Sequence, residues 1–255
     1  MSKETQKINW EIVANLLPRI LYRIEISPET RNKIDEIKKI LNEKSDLNII
    51  TYFNHISFED PLFVGHIIKK IDPKNTRPIL VPVSYSHTDA SKKENKFSIK
   101  MIEIANSCGV ETVRTIQTYQ TIGLTPLYTT EKANIINRNL FDQIKKYKKY
   151  KSPFIFAISP EGHRSEDGKL GKGETSMAGF ANHLQPSLLI PVGINYSDNF
   201  CRDKLNLGKK VILTIGDLYI NEGKEKKDID FYMNKLALTL PPQMRGKYNS
   251  EINKS

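Results

Sequence analysis

The sequence is short of cysteine: Cys108 and Cys201 are the only two in 255 residues. Two cannot build a disulfide framework, so a reducing, intracellular setting is expected. Glycine and proline, 13 each, are at ordinary levels, which excludes collagen-like and disordered classes. No run approaches the roughly 18 apolar residues of a membrane-spanning helix. The opening residues MSKETQKINW are polar and include Glu4, so no secretory signal peptide is expected. No His/Cys cluster has metal-ligand spacing, so no structural zinc is expected.

What the chain has is positive charge. Lys+Arg number 39 against 29 Asp+Glu, a formal net charge of +10. Such an excess suits an anionic partner, whether nucleic acid, anionic lipid or an acidic protein. Equally, lysine runs such as KKYKKYK at 145–151 can be a solvated face with no specific partner. The length allows one or two domains and is enough to bury a large core.

Apolar and polar segments alternate without an internal repeat. Residues 8–24 place Ile8, Ile12, Val13, Leu16, Leu17, Ile20, Leu21 and Ile24 on one helical face, bent or divided at Pro18. A second helix fits 28–42, with Ser27 as cap and Pro28 as first residue. LNIITYF at 47–53 reads as a strand buried on both faces. Helices follow at 61–71, 97–106, 131–149, 174–184 and 228–239. Strands are expected at 77–85, 110–116, 153–159, 187–196 and 210–220. Pro191 within its strand suggests an edge or a bulge. This order predicts an α/β fold, a mixed, largely parallel sheet flanked by helices and preceded by an N-terminal helical pair.

Two stretches could carry chemistry. Asn54-His55-Ile56-Ser57-Phe58-Glu59-Asp60-Pro61 follows directly on a buried strand, where α/β folds place their ligands. Pro61 fits the first helical position, making Asp60 the expected N-cap. A turn running into a helix start can return the Asp60 carboxylate to the His55 ring. One ring nitrogen is then held and the other left as a base. The plainer reading is a capped helix beside a loop histidine. Ser159-Pro160-Glu161-Gly162-His163-Arg164-Ser165 follows a second buried strand and runs on through Gly168, Lys172 and Gly173. Its glycines admit close backbone approach, and Arg164 and Lys172 offer charge to a phosphate. Alternatively it is a glycine-rich surface turn. His66 and His183 lie within expected helices as structural residues, and His87 is a loop histidine with no visible partner. Trp10 and the apolar face of the first helix could lie in a membrane interface or pack on the body of the protein.

NHxSFxDP, then PEGxRSxxGxLxxG, then a strand with IPVGI, resembles in this order the phospholipid/glycerol acyltransferase family, with its HX4D motif. The likeness runs from about residue 47 to 248 and includes VILTIGDLYI and the ending LPPQMRGKY. It implies transfer of an acyl group from a thioester to a glycerol hydroxyl. By matching positions, His55 would be the general base and Asp60 would hold and polarise it. Glu161, Gly162, Arg164 and Lys172 would fall in the acceptor-binding block. The family's second block is poorly kept. Its best candidate, Gly109 to Arg114, is one residue short and offers Arg114 as a second phosphate contact. Ser159 stands where an aromatic residue is usual, and His163 where Thr or Gly is common.

The resemblance implies an N-terminal segment (1–45) able to dock on a membrane surface, an acyltransferase domain (46–248) and a polar tail (249–255). Acyl-CoA or an acylated carrier protein would be the co-substrate, with no further cofactor. The acceptor would be 1-acylglycerol 3-phosphate, with glycerol 3-phosphate or another lysophospholipid as alternatives. The protein would be cytoplasmic and peripheral, on an anionic membrane. Rivals are a non-catalytic lipid- or acyl-carrier-binding protein on the same fold and a basic nucleic-acid-binding protein. No nucleic-acid motif supports the latter.

Overall fold

Buried runs of Ile, Leu, Val and Phe must pair their backbone groups, and here short runs do so with one another in one eight-stranded sheet. The computed structural model describes residues 12–89, 91, 95–122, 125–197, 200–202 and 204–249. In chain order the elements are α1 (Leu17–Leu21), β1 (Arg23–Ile26), α2 (Pro28–Glu43), β2 (Asn48–Phe53), α3 (Asp60–Ile71), β3 (Ile79–Ser84) and α4 (Lys96–Ser107). There follow β4 (Val110–Thr115), α5 (Thr130–Lys149), β5 (Ile155–Ile158), α6 (Thr175–His183), β6 (Ser187–Tyr196), β7 (Lys210–Ile215), β8 (Tyr219–Asn221) and α7 (Ile229–Leu238). The sheet order is β1-β7-β6-β2-β5-β3-β4, with β8 also pairing β6. The run from β6 to β4 is parallel throughout. β7 and β8 run antiparallel to β6, and β1 is parallel to β7. The chain is therefore α/β with a mixed, mostly parallel sheet flanked by helices.

Successive strand residues face opposite sides, so each strand feeds two cores. Ile49, Phe53, Ile155 and Ile190 pack with Ile37 of α2 and with Phe63 and Ile67 of α3. On the other face Ile50, Tyr52, Phe156 and Leu189 pack with Ile144 of α5, Met177 of α6 and Leu236 of α7. Each such side chain contributes about 1.5–3 kcal/mol through burial. Among the described residues no helix is long and apolar enough to cross a membrane.

Three sequence expectations are corrected. The end of the supposed first helix is the edge strand β1, so the expected N-terminal helical pair is interrupted by a strand of the main sheet. Among the described residues a π-helical turn (Ile12–Leu16) and the short α1 precede it, with Pro18 in the first turn of α1. Ile8, Trp10 and the tail beyond Asn249 lie outside the described residues. The single strand expected over 210–220 is two strands, broken at Gly216. Pro191 is neither at an edge nor in a bulge. It sits in β6 between the stretch that pairs β8, 187–189, and the stretch that pairs β7, 192–196. The missing N–H falls where one antiparallel partner gives way to the other. By contrast, α2 begins as expected: Ser27 Oγ accepts from the Thr30 backbone N–H at 3.2 Å, and Pro28 leads the helix.

The glycines of the IPVGI and VILTIGDLYI stretches share one cause. Thr239, just past α7, wedges between Gly193 of β6 and Gly216 after β7. A methyl on Gly193 would lie 2.4 Å from Thr239 Oγ1 and 2.7 Å from its carbonyl oxygen. Gly193→Ala is therefore expected to destabilise by about 1–3 kcal/mol, read as a lower urea midpoint with unchanged slope. Gly179→Ala, in α6 with open space around it, is expected to stabilise by up to about 1 kcal/mol. Equal stability of the Gly193 variant and the parent would refute the wedge.

Candidate active site

β2 ends at Phe53, and the next residue fastens the strand to β6. Asn54 Nδ2 donates to the Ile194 carbonyl at 3.0 Å, and the Ile194 N–H donates to Asn54 Oδ1 at 2.8 Å. The chain then turns sharply into α3. Glu59, not Asp60, is the N-cap, and Asp60 is the first residue of the helix. That one-residue shift points the Asp60 carboxylate back over the turn. Its Oδ2 accepts from His55 Nδ1 at 2.9 Å, from the Ile56 N–H at 2.6 Å and from the Ser57 N–H at 2.8 Å. Its Oδ1 accepts from Ser57 Oγ at 2.7 Å. Since Ser57 has given its proton to Asp60, Tyr196 must donate its own to Ser57 Oγ, 2.8 Å away.

The His55 tautomer follows. A fully buried carboxylate that already accepts from two backbone N–H groups takes a proton donor from the ring, so Nδ1 carries hydrogen. Nε2 is left with its lone pair. The ring keeps a quarter of its side chain exposed and borders a cleft.

A second buried acid holds the same loop from the opposite side. Glu161 Oε2 accepts the His55 backbone N–H at 2.9 Å, and Oε1 accepts that of Gly171 at 2.7 Å. The Ser165 N–H returns a bond to the His55 carbonyl at 2.7 Å. Burial pushes the Glu161 carboxyl up to about 7, against the two backbone hydrogen bonds that favour its charge. Both of its oxygens are engaged with backbone, so it shapes the His55 loop and does not face the cleft. Gly162, at φ +71°, does line the cleft.

The cleft, about 600 Å³, is bounded by the turn after β2, the ends of β3 and β4, α4, the middle of α5, α6 and the loop after β5. Arg164 lines it with its guanidinium stacked 3.7 Å over the Phe58 ring, and its Nη1 donates to the Arg202 carbonyl at 2.7 Å. His55, Arg164 and Gly162 are thus brought together. Arg114 and Lys172 are not: both are exposed and outside the cleft lining, although Thr115 to Gln117 beside Arg114 do line it.

Reasoning from sequence missed Arg202 and His87. His87 is no isolated loop residue. Burial, and then the charges of Arg164 and His55, lower its pKa. Both residues lie in segments without periodicity, and no local signal could have placed them here. His66 is structural, buried with Nδ1 3.1 Å from the Ala14 carbonyl and lowered to about 4 by burial. Among the described residues no group of three His, Cys, Asp or Glu could hold a metal ion.

Behind the cleft lies an apolar cavity of about 150 Å³ between α3, α4 and the β3–β4 side of the sheet. Phe53, Phe58, Pro61, Val81 and Met101 border both spaces, so the two adjoin beside His55. No protein-family model matches the chain, and no curated protein sequence matches it.

Glu161→Gln tests the second acid. Its carboxyl is raised in the fold from 4.5 to about 7, so the native state holds the proton more tightly than the unfolded chain. The contribution to stability is therefore greatest below about 4.5 and falls as pH rises to about 7, by about 3 kcal/mol. The wild-type minus Glu161→Gln difference in unfolding free energy should decline across that window. A difference independent of pH would overturn the assignment.

Proposed function

We propose that the chain is an acyltransferase that moves an acyl group from an acyl thioester to the free hydroxyl of 1-acylglycerol 3-phosphate, on a fold of the glycerolphosphate acyltransferase type. The observation that carries this reading is the His55–Asp60 pair, 2.9 Å apart, presenting a free Nε2 at the edge of a basic cleft that adjoins an apolar cavity. The reading rests on these residues and on the order of the motifs, not on overall similarity to any protein.

In the proposed reaction the acceptor hydroxyl oxygen attacks the thioester carbonyl carbon, and His55 Nε2 takes the hydroxyl proton. Asp60 stabilises the imidazolium without taking the proton itself. The tetrahedral intermediate collapses, the carbon–sulfur bond breaks, and the thiolate leaves with the proton returned by His55. A thioester is already activated, so base catalysis and positioning suffice. The apolar cavity suits an acyl chain and the arginine-bearing wall an anionic headgroup. Acyl-CoA or an acylated carrier protein supplies the acyl group.

The membrane is reached, on this reading, through the N-terminal elements. Ile12, Leu16 and Ile20 are exposed and recur every fourth residue, and Arg19 and Arg23 beside them are exposed as well. Apolar and cationic groups on one surface suit an anionic lipid interface.

Two tests follow. Thiol release from acyl-CoA, and then from acyl carrier protein, is measured with 1-acylglycerol 3-phosphate, glycerol 3-phosphate and zwitterionic lysolipids as acceptors. Turnover is expected to vanish in His55→Ala, with a nearly unchanged melting temperature. Turnover that survives the substitution, or silence with every donor and acceptor, would refute the reading. Replacing Ile12, Leu16 and Ile20 together by Ser is expected to reduce sedimentation with anionic vesicles while leaving the melting temperature in place. Undiminished sedimentation would move the docking surface elsewhere.

A further inference from the structure

The sequence offers Arg114 as a second contact for a phosphate, but Arg114 lies outside the cleft. Arg202, on the segment between β6 and β7, lines it instead. Its Nε is buried and has no hydrogen-bond partner. A buried guanidinium N–H without an acceptor is costly, and folded proteins keep few of them. Its main chain is fixed in place, because its carbonyl accepts from Arg164 Nη1 at 2.7 Å. Stacking on Phe58 holds the Arg164 guanidinium, and Arg164, Arg202, His55 and His87 all border the same space. Glu174 is the only acid among the described lining residues, so this wall stays cationic.

We propose that Arg202 binds the anionic headgroup of the acceptor together with Arg164, taking the place that the motif pattern assigns to Arg114. The fork of a guanidinium matches two phosphate oxygens, which would supply the acceptor that Nε lacks. The inference deepens the acyltransferase reading and rests on it for the identity of the acceptor. The anion site itself can be tested without turnover.

Glycerol 3-phosphate is titrated calorimetrically into the wild-type protein and into Arg202→Gln, Arg202→Lys and Arg114→Gln. Arg202→Gln should weaken binding at least about tenfold, the loss expected for a charge-assisted hydrogen bond. Arg202→Lys keeps the charge without the fork and should fall between, which carries the test if the Gln variant is poorly folded. Arg114→Gln should bind as the wild type does. In acyl transfer to 1-acylglycerol 3-phosphate, Arg202→Gln should raise KM with kcat within about twofold. Unchanged binding in both Arg202 variants, or no binding by the wild type, would overturn the inference. Arg202-dependent binding in a protein that transfers no acyl group would uphold the anion site and refute the enzymatic reading instead.

Discussion

A carboxylate with no solvent exposure must find donors to replace its lost water, and Asp60 finds four of them in the six residues that precede α3. The turn from His55 to Ser57 is wrapped around that charge. The ring of His55 points as it does because the backbone N–H groups of Ile56 and Ser57 converge on the same oxygen. Tyr196, at the far end of β6, closes the set through Ser57. The start of α3 adds its own favourable field for a negative charge. Histidine orientation is thus a consequence of satisfying one buried acid, which ties the chemistry of the site to the stability of the loop.

Two neighbouring acids extend the same logic. Glu161 bridges the His55 loop to the loop after β5 through backbone N–H groups. Glu59 is buried as well; it accepts from Tyr22 Oη at 3.3 Å and from the backbone N–H of Asn206, joining the N-terminal segment to the segment before β7. Nearness to Glu59, after desolvation, also raises the Tyr22 hydroxyl. Three acids that serve as internal fasteners are three acids withdrawn from the surface. The outside is accordingly more cationic than the formal charge of +10 implies.

The elements were legible in the sequence where periodicity was strong. Ser187–Tyr196, Thr130–Lys149 and the Ser27–Pro28 helix start lie within a residue or two of their expected places, because apolar spacing and capping chemistry are local. β1 was not legible, since a four-residue edge strand gains its stability from β7, nearly 190 residues away. Pro191 misled because the rule against proline in a central strand assumes one continuous partner, and β6 has two in succession. At the site, the return of Asp60 to His55 was legible as a turn running into a helix start and from the order of the motifs, whereas Pro61 placed the helix start one residue late. The function of Glu161 as a buried bridge was not, because a Pro-Glu-Gly turn looks the same whether its carboxylate faces a ligand or the backbone. Arg202 and His87 enter the cleft through loop paths that leave no periodic trace.

The pattern of hydrogen bonds also bears on how His55 would act. A base that activates a protein nucleophile is expected within hydrogen-bond reach of a hydroxyl or thiol. Among the described residues, His55 bonds through its ring only to Asp60. The nearest hydroxyl in sequence, Ser57 Oγ, is spent on Asp60 and Tyr196 and is fully buried. Cys108 and Cys201 do not line the cleft. Nε2 therefore has no hydroxyl or thiol partner among the described residues, and His55 borders the cleft. On the proposed acyl-transfer reading, this arrangement favours direct attack by a bound hydroxyl over a covalent acyl-enzyme. It also makes placement of that hydroxyl, and so the contacts of its headgroup, the step on which rate would depend.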